Sequence, residues 1–152
     1  MSTERSLRDV LEGRGELRKP KRAGFWADNP PKEDGKSQGL MQYLRMEHEK
    51  SMQEYPIAQQ HVDPQWAIDS PVEWAAVVTH LRAGKEKDWY KGSSSCRLCG
   101  CTDGSADMTD GEWVWPQGLL HYIIVHDVKP PNQEFIDHCV RELKRRFAFK
   151  DG

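Results

Sequence analysis

Between Cys96 and His126 the sequence opens with Cys96-Arg97-Leu98-Cys99-Gly100 and closes with Trp115-Pro116-Gln117-Gly118-Leu119-Leu120-His121-Tyr122-Ile123-Ile124-Val125-His126. Two thiols three positions apart can face one ion. Gly100 lets the backbone take a positive φ and turn amide N–H groups toward the sulfurs. The apolar residues from Leu119 to Ile124 read as a helix carrying His121 and His126, stopped before Pro130 and Pro131. The pattern is Cys-x2-Cys, 21 residues, His-x4-His. Two thiolates and two imidazoles form a usual tetrahedral zinc set, so Cys96, Cys99, His121 and His126 are the expected metal ligands and Zn2+ the expected structural cofactor. Side chains at i and i+5 lie about 140° apart on an ideal helix. His126 therefore calls for a loosened last turn, or a place beyond the helix end.

The same residues could serve other chemistry. A disulfide framework is disfavoured, because four cysteines in a chain without a secretion signal point to metal or free thiols. A thioredoxin-like redox pair would follow a βαβ pattern, which is not visible here. Cys101 and the pair His138-Cys139 are reserve ligands. Cys139 lies on an apolar stripe and reads as core. A shell of only three protein ligands would leave room for water, with Asp107, Asp110 or Glu112 as base. No His-Glu-x-x-His, phosphate loop or nucleophile elbow supports that, so no catalytic residue is assigned.

Outward from the cysteines and histidines, Asp110-Gly111 is a turn signal and Glu112-Trp113-Val114-Trp115 alternates like a short strand. Pro116 suits the first residue of the helix that follows. Upstream, Ser70-Pro71-x-Glu73 has the form of a capping box and opens a helix over 70–84, with Trp74, Val77, Val78 and Leu81 on one face. Gly84 suits a left-handed helix end. A second helix is expected over 40–54, with Leu40, Tyr43, Leu44, His48, Met52 and Tyr55 near one face. A third runs from about 133 to 147, with Asn132 as cap and Phe135, Ile136, Cys139, Val140, Leu143 and Phe147 as its stripe.

The whole is polar: 30% of the 152 residues are charged, and net charge is -2. Charge is uneven. Residues 1–26 and 141–152 are basic, whereas residues 96–140 hold seven carboxylates against Arg97 and Lys129. Nothing approaches the roughly 18 apolar residues of a membrane helix, and no secretory signal follows Met1, so a cytoplasmic chain that does not enter membranes is expected. The organisation expected is a basic N-terminal arm over 1–39, flexible or docked on a partner, a helical segment over 40–89, a zinc module over 90–131, and a basic amphipathic helix over 132–152. The fold class is α+β, mainly helical, zinc-stabilised, with a short β segment.

The run Gly92-Ser93-Ser94-Ser95-Cys96-Arg97-Leu98-Cys99-Gly100, followed by Thr109-Asp110-Gly111-Glu112 and the stretch from Trp113 to His126, is similar to a module of small bacterial and phage-like viral accessory proteins. The resemblance covers about a third of the chain. It implies a zinc-binding fold, in host cytoplasm if the source is viral, and brings no activity. The likeness to two-Cys, two-His zinc fingers is looser, because the spacing between the pairs is longer.

These readings suit a non-enzymatic interaction protein that binds a larger protein or assembly. Its contact residues would be Phe25 and Trp26, set in a basic arm with Lys19, Lys21 and Arg22, because two large aromatics in a polar arm seek cover on this domain or on a partner. The alternative is a nucleic-acid-binding protein touching phosphates through its basic arm and last helix. DNA reading by the histidine-bearing helix is disfavoured, since residues 117–128 hold no Lys or Arg. A metal-dependent hydrolase or nuclease is the minority alternative.

Overall fold

A computed structural model describes residues 20–151, without the side chains of residues 89–92 and 149–151. Lys19 lies outside the described residues. The fold is α+β. A four-stranded sheet has the order β1-β4-β3-β2, in which β1 is Lys21–Arg22, β2 Lys85–Ser95, β3 Thr102–Thr109 and β4 Trp113–Pro116. The helices are α1 (Gln38–Glu54), α2 (Pro64–Asp69), α3 (Pro71–Arg82), α4 (Leu119–His126) and α5 (Gln133–Asp151), with a 3-10 turn at Ala58–His61.

The expected strand at 112–115 is β4, buried along Trp113, Val114 and Trp115. The long β2–β3 hairpin was not legible. Lys-Glu-Lys-Asp opens β2 and Gly-Ser-Ser-Ser closes it, with no apolar alternation. Such a strand is specified by its pairing, Lys85 with Thr109 through Ser95 with Thr102, and not by its own propensity. Its position at the sheet edge suits a lysine-rich strand that discourages pairing with another chain.

Helix α3 forms where the periodicity places it, but its ends differ from expectation. Ser70 makes no side-chain cap. Helix α2 ends on that same residue, whose N–H donates to Trp66. Glu73 instead accepts from the indole of Trp66 at 3.1 Å and from Gln133 at 3.0 Å, which ties α2, α3 and α5 together. Helix α2 itself announces its start only through Asp63-Pro64, where the Asp63 carboxylate accepts the N–H of Gln65. Gly84 is not left-handed. A Cβ there would fall 2.4 Å from the Trp115 ring, so the glycine serves close approach of the chain to that indole. Pro116 closes β4, and α4 begins three residues later at Leu119.

The core runs through every expected segment. Ala23 and Trp26 of the arm, Val77 and Leu81 of α3, Trp113 and Trp115 of β4, Leu119 and Ile123 of α4, and Phe135, Ile136 and Cys139 of α5 form one cluster. The arm is part of it, since β1 pairs in parallel with β4, Lys21 opposite Trp113 and Arg22 opposite Val114. Trp26 is 6% exposed and packs on His61 and Tyr122, with ring centroids at 5.8 and 5.6 Å. Phe25 lies under the Arg22 guanidinium at 4.0 Å and beside Tyr55. Lys21 pairs with Glu134 at 2.7 Å. Of the two kinds of cover open to these aromatics, this domain or a partner, the described contacts of Trp26 are with this chain's own His61 and Tyr122.

Helix α1 starts at the Ser37 cap, whose hydroxyl accepts the Leu40 N–H at 3.2 Å. It is fastened to the arm by the Asp28 N–H on the Ser51 hydroxyl and by the Arg45–Glu33 ion pair. Only Met41 is buried, with Leu44, His48 and Tyr55 half-buried beside it. Leu40, Tyr43 and Met52, expected to join the packed face, are exposed. Among the described residues, no helix is long and apolar enough to cross a membrane.

Candidate metal centre

The loop joining β2 to β3 is the Cys-x-x-Cys knuckle itself. The N–H of Cys96 donates to the carbonyl of Cys101 at 2.8 Å, continuing the hairpin across the loop, and the N–H of Gly100 donates back to the carbonyl of Cys96 at 2.8 Å. Gly100 has φ +76 with open space around a would-be Cβ, so its backbone angle is the requirement there. The turn aims N–H groups at sulfur: Leu98 N lies 3.4 Å from Cys96 Sγ. Burial pushes the Cys96 thiol up, against the N–H groups of Cys99 and Leu98. The N–H of Cys101, helped by the His126 ring, holds the exposed Cys99 thiol down at about 7. Donors to sulfur and a lowered thiol suit thiolate ligation.

Helix α4 supplies the imidazoles. Its last turn is loosened as the five-residue spacing requires. The N–H groups of Asp127 and Val128 both reach back to the carbonyl of Tyr122, and Asp127 takes a left-handed conformation with φ 56. His126 is the last helical residue, and its ring centroid lies 5.0 Å from that of His121. His121 Nε2 is 3.4 Å from Cys99 Sγ. One ligand atom from each of Cys96, Cys99, His121 and His126 lies within 4.8 Å of the others. The four expected ligands are thus brought together, in a set that could hold a metal ion such as zinc. The fit has a local mark as well, for His126 Nε2 is buried without a hydrogen-bond partner among the described residues.

The reserve cysteines stand outside this group. Cys101 is exposed and contributes its backbone to the knuckle, while its thiol is raised by the neighbouring Cys99 sulfur. Cys139 is fully buried, its thiol pushed by burial to about 12. The knuckle is anchored on several sides. Arg97 N–H donates to the buried Tyr122 hydroxyl at 2.7 Å, its guanidinium reaches Asp28 at 3.0 Å, and its carbonyl accepts from Asn29 and Gln59. Tyr122 lies between the two histidines in sequence, so one helix positions both the imidazoles and the knuckle backbone.

A second constellation was missed in the sequence. His80 of α3, Asp110 of the β3–β4 turn and His138 of α5 converge, with both histidine Nε2 atoms on Asp110 Oδ2 at 2.6 and 2.8 Å. Sequence spacing pairs His138 with Cys139 and offers Asp110 only as a candidate base, and it gives no signal for His80. Only the packing of α3 against α5 joins them.

Comparison with family models, curated proteins and solved structures returned no match for this chain. What stands of the resemblance in the sequence is the Cys96, Cys99, His121, His126 cluster.

Proposed function

We propose that this chain is a zinc-stabilised protein that acts by binding a larger protein, with Cys96, Cys99, His121 and His126 holding a structural ion. Four protein donors fill a tetrahedral shell and leave no position for substrate, which supports a structural role at this centre over a catalytic one. The observation that carries the binding role is helix α1. Leu40, Tyr43 and Met46 are 45%, 57% and 62% exposed, and on a 3.6-residue helix they fall within about a third of a turn of each other. Contiguous apolar side chains in water mark an interaction face. Phe25 and Trp26, the arm aromatics, pack on Tyr55, His61 and Tyr122 of this chain, so α1 offers the more open face.

The test is recovery of partners from native expression with wild type and with Tyr43→Glu/Met46→Glu. Both side chains are already in solvent, so the double variant keeps its melting temperature. A protein partner recovered with wild type and lost with the variant supports the reading; a set of partners unchanged by the variant overturns it.

A second reading, polyanion binding through the last helix, draws on the exposed Arg141, Lys144, Arg145 and Arg146 of α5. Binding of a random oligonucleotide that weakens steeply with salt would favour it.

A further inference from the structure

We propose that His80, Asp110 and His138 form a second metal site, of open type, that takes a divalent transition-metal ion and, on its free coordination positions, a phosphate group. Two imidazoles and one carboxylate are a known ligand set for such ions. Here their donor atoms come from three separate elements and all lie within 4.8 Å of one another. Both histidines are nine-tenths buried or more. Donors bound at about 2.1 Å to one ion stand about 3.0–3.4 Å apart. The observed 2.6 and 2.8 Å are shorter by about 0.2–0.8 Å, so the imidazoles must draw back from Asp110 Oδ2 to admit an ion.

The surroundings of the three donors are those of a held site. Asp110 Oδ1 accepts the N–H groups of Glu112 and Trp113 at 2.8 and 2.7 Å, which fixes the carboxylate and leaves Oδ2 to face the imidazoles. The other nitrogen of His138, Nδ1, lies 3.1 Å from Glu112 Oε2. A carboxylate on the outer nitrogen of a ligating histidine sets its tautomer and its orientation. The aromatic walls are tight, with Trp115, Phe135 and Trp113 rings against the histidines.

The site has an entry and a preferred guest. His80, Asp110 and His138 border a cleft of about 750 Å³ where Lys85, Arg141, Arg145 and Arg146 outnumber the two further carboxylates, Glu112 and Glu142. Arg145 is paired with Glu142 at 2.7 Å. Three protein ligands leave open positions on the ion, in contrast to the four-donor shell of the knuckle. An anion reaching those positions would enter past guanidinium groups, which pair with oxyanions such as phosphate and favour them over neutral ligands.

The experiment uses the full chain with its first metal equivalent in place. Titration with Co2+ is expected to show one further equivalent, with weak visible bands of a nitrogen-oxygen shell and without added thiolate charge-transfer absorption. His138→Gln is expected to lose that equivalent and keep the first. Substoichiometric Mn2+ added to wild type is expected to broaden the His80 and His138 ring resonances first, with an effect that falls away with distance from them, a readout that depends on no variant. Inorganic phosphate is expected to shift the Co2+ bands, and Arg141→Ala to weaken that shift several-fold. No second equivalent, or one that survives in His138→Gln, or Mn2+ broadening centred elsewhere, overturns the metal site and leaves a hydrogen-bonded clasp between α3 and α5. Bands that ignore phosphate overturn the anion half. Loss of the first equivalent alone would count against the knuckle and not against this site.

Discussion

Cys96 and Cys101 sit five residues apart on the same loop and have opposite roles. Cys96 Sγ is buried and faces two imidazoles, while the Cys101 thiol is exposed and only its backbone shapes the turn. Cys96→Ala should abolish the tightly held equivalent of zinc. Since a structural zinc supplies on the order of 10 kcal/mol and a domain of this kind has about 5–15 kcal/mol in all, the variant should be largely unfolded at room temperature. Cys101→Ser should keep both metal and melting temperature. Elemental analysis beside a thermal melt checks the pair, and equal losses in both would refute the assignment. Gly84→Ala tests a different contact. Its Cβ would press on the Trp115 indole at 2.4 Å, and overpacking of this kind costs about 1–3 kcal/mol. A fall in melting temperature is expected, and an unchanged value would show that the ring has room to move.

Among the elements, the arm and the last helix make the clearest claims. β1 is only two residues long, yet it carries Ala23 and Trp26 into the core. Trp26→Ala should destabilise the chain by about 3–5 kcal/mol, as expected for removing a buried indole, and should raise hydrogen exchange at Ala23 and Ala27, whose N–H groups donate to Val114 and Pro56. A Trp26→Ala chain with wild-type stability would mean that the arm is not packed as described. On α5, Cys139 is enclosed by the same core as Phe135 and Ile136. With its thiol at about 12 and no access, it should resist alkylation at pH 8 in the folded chain, whereas the exposed Cys101 should be labelled well before it. Mass spectrometry of the labelled peptides distinguishes them. Rapid labelling of Cys139 would show that α5 opens.

At the scale of the molecule, three fastenings converge on one sheet. The knuckle closes the β2–β3 hairpin onto α4, the arm adds an edge strand beside β4, and Asp110 in the β3–β4 turn meets α3 and α5. In a polar chain with 30% charged residues, an ion held by the Cys96, Cys99, His121, His126 cluster would join distant segments and take a large share in its cooperativity. Prolonged chelation should therefore lower the melting temperature of the whole described unit in a single transition, followed by circular dichroism at helix and aromatic wavelengths. Two separate transitions, with α3 and α5 melting independently of the zinc, would show that the knuckle stabilises only its own loop.

Local chemistry was enough for part of this. The Cys-x-x-Cys-Gly turn, the paired histidines with their loosened helix end, and the periodic helices α3 and α5 follow from side-chain type and spacing, because each depends on neighbours a few residues away. The long hairpin did not show, since Lys85 to Ser95 is polar and becomes a strand only when β3 is beside it. The capping box at Ser70 failed because α2 ends on the same residue and Glu73 finds the Trp66 indole instead. The apolar residues of α1 were expected to be covered, and only the packed structure shows Leu40 and Tyr43 facing water. His80, Asp110 and His138 lie about 30 residues apart in turn, at 80, 110 and 138. No spacing rule links positions so distant; they meet because α3 and α5 pack against one sheet and set the two imidazoles over one turn.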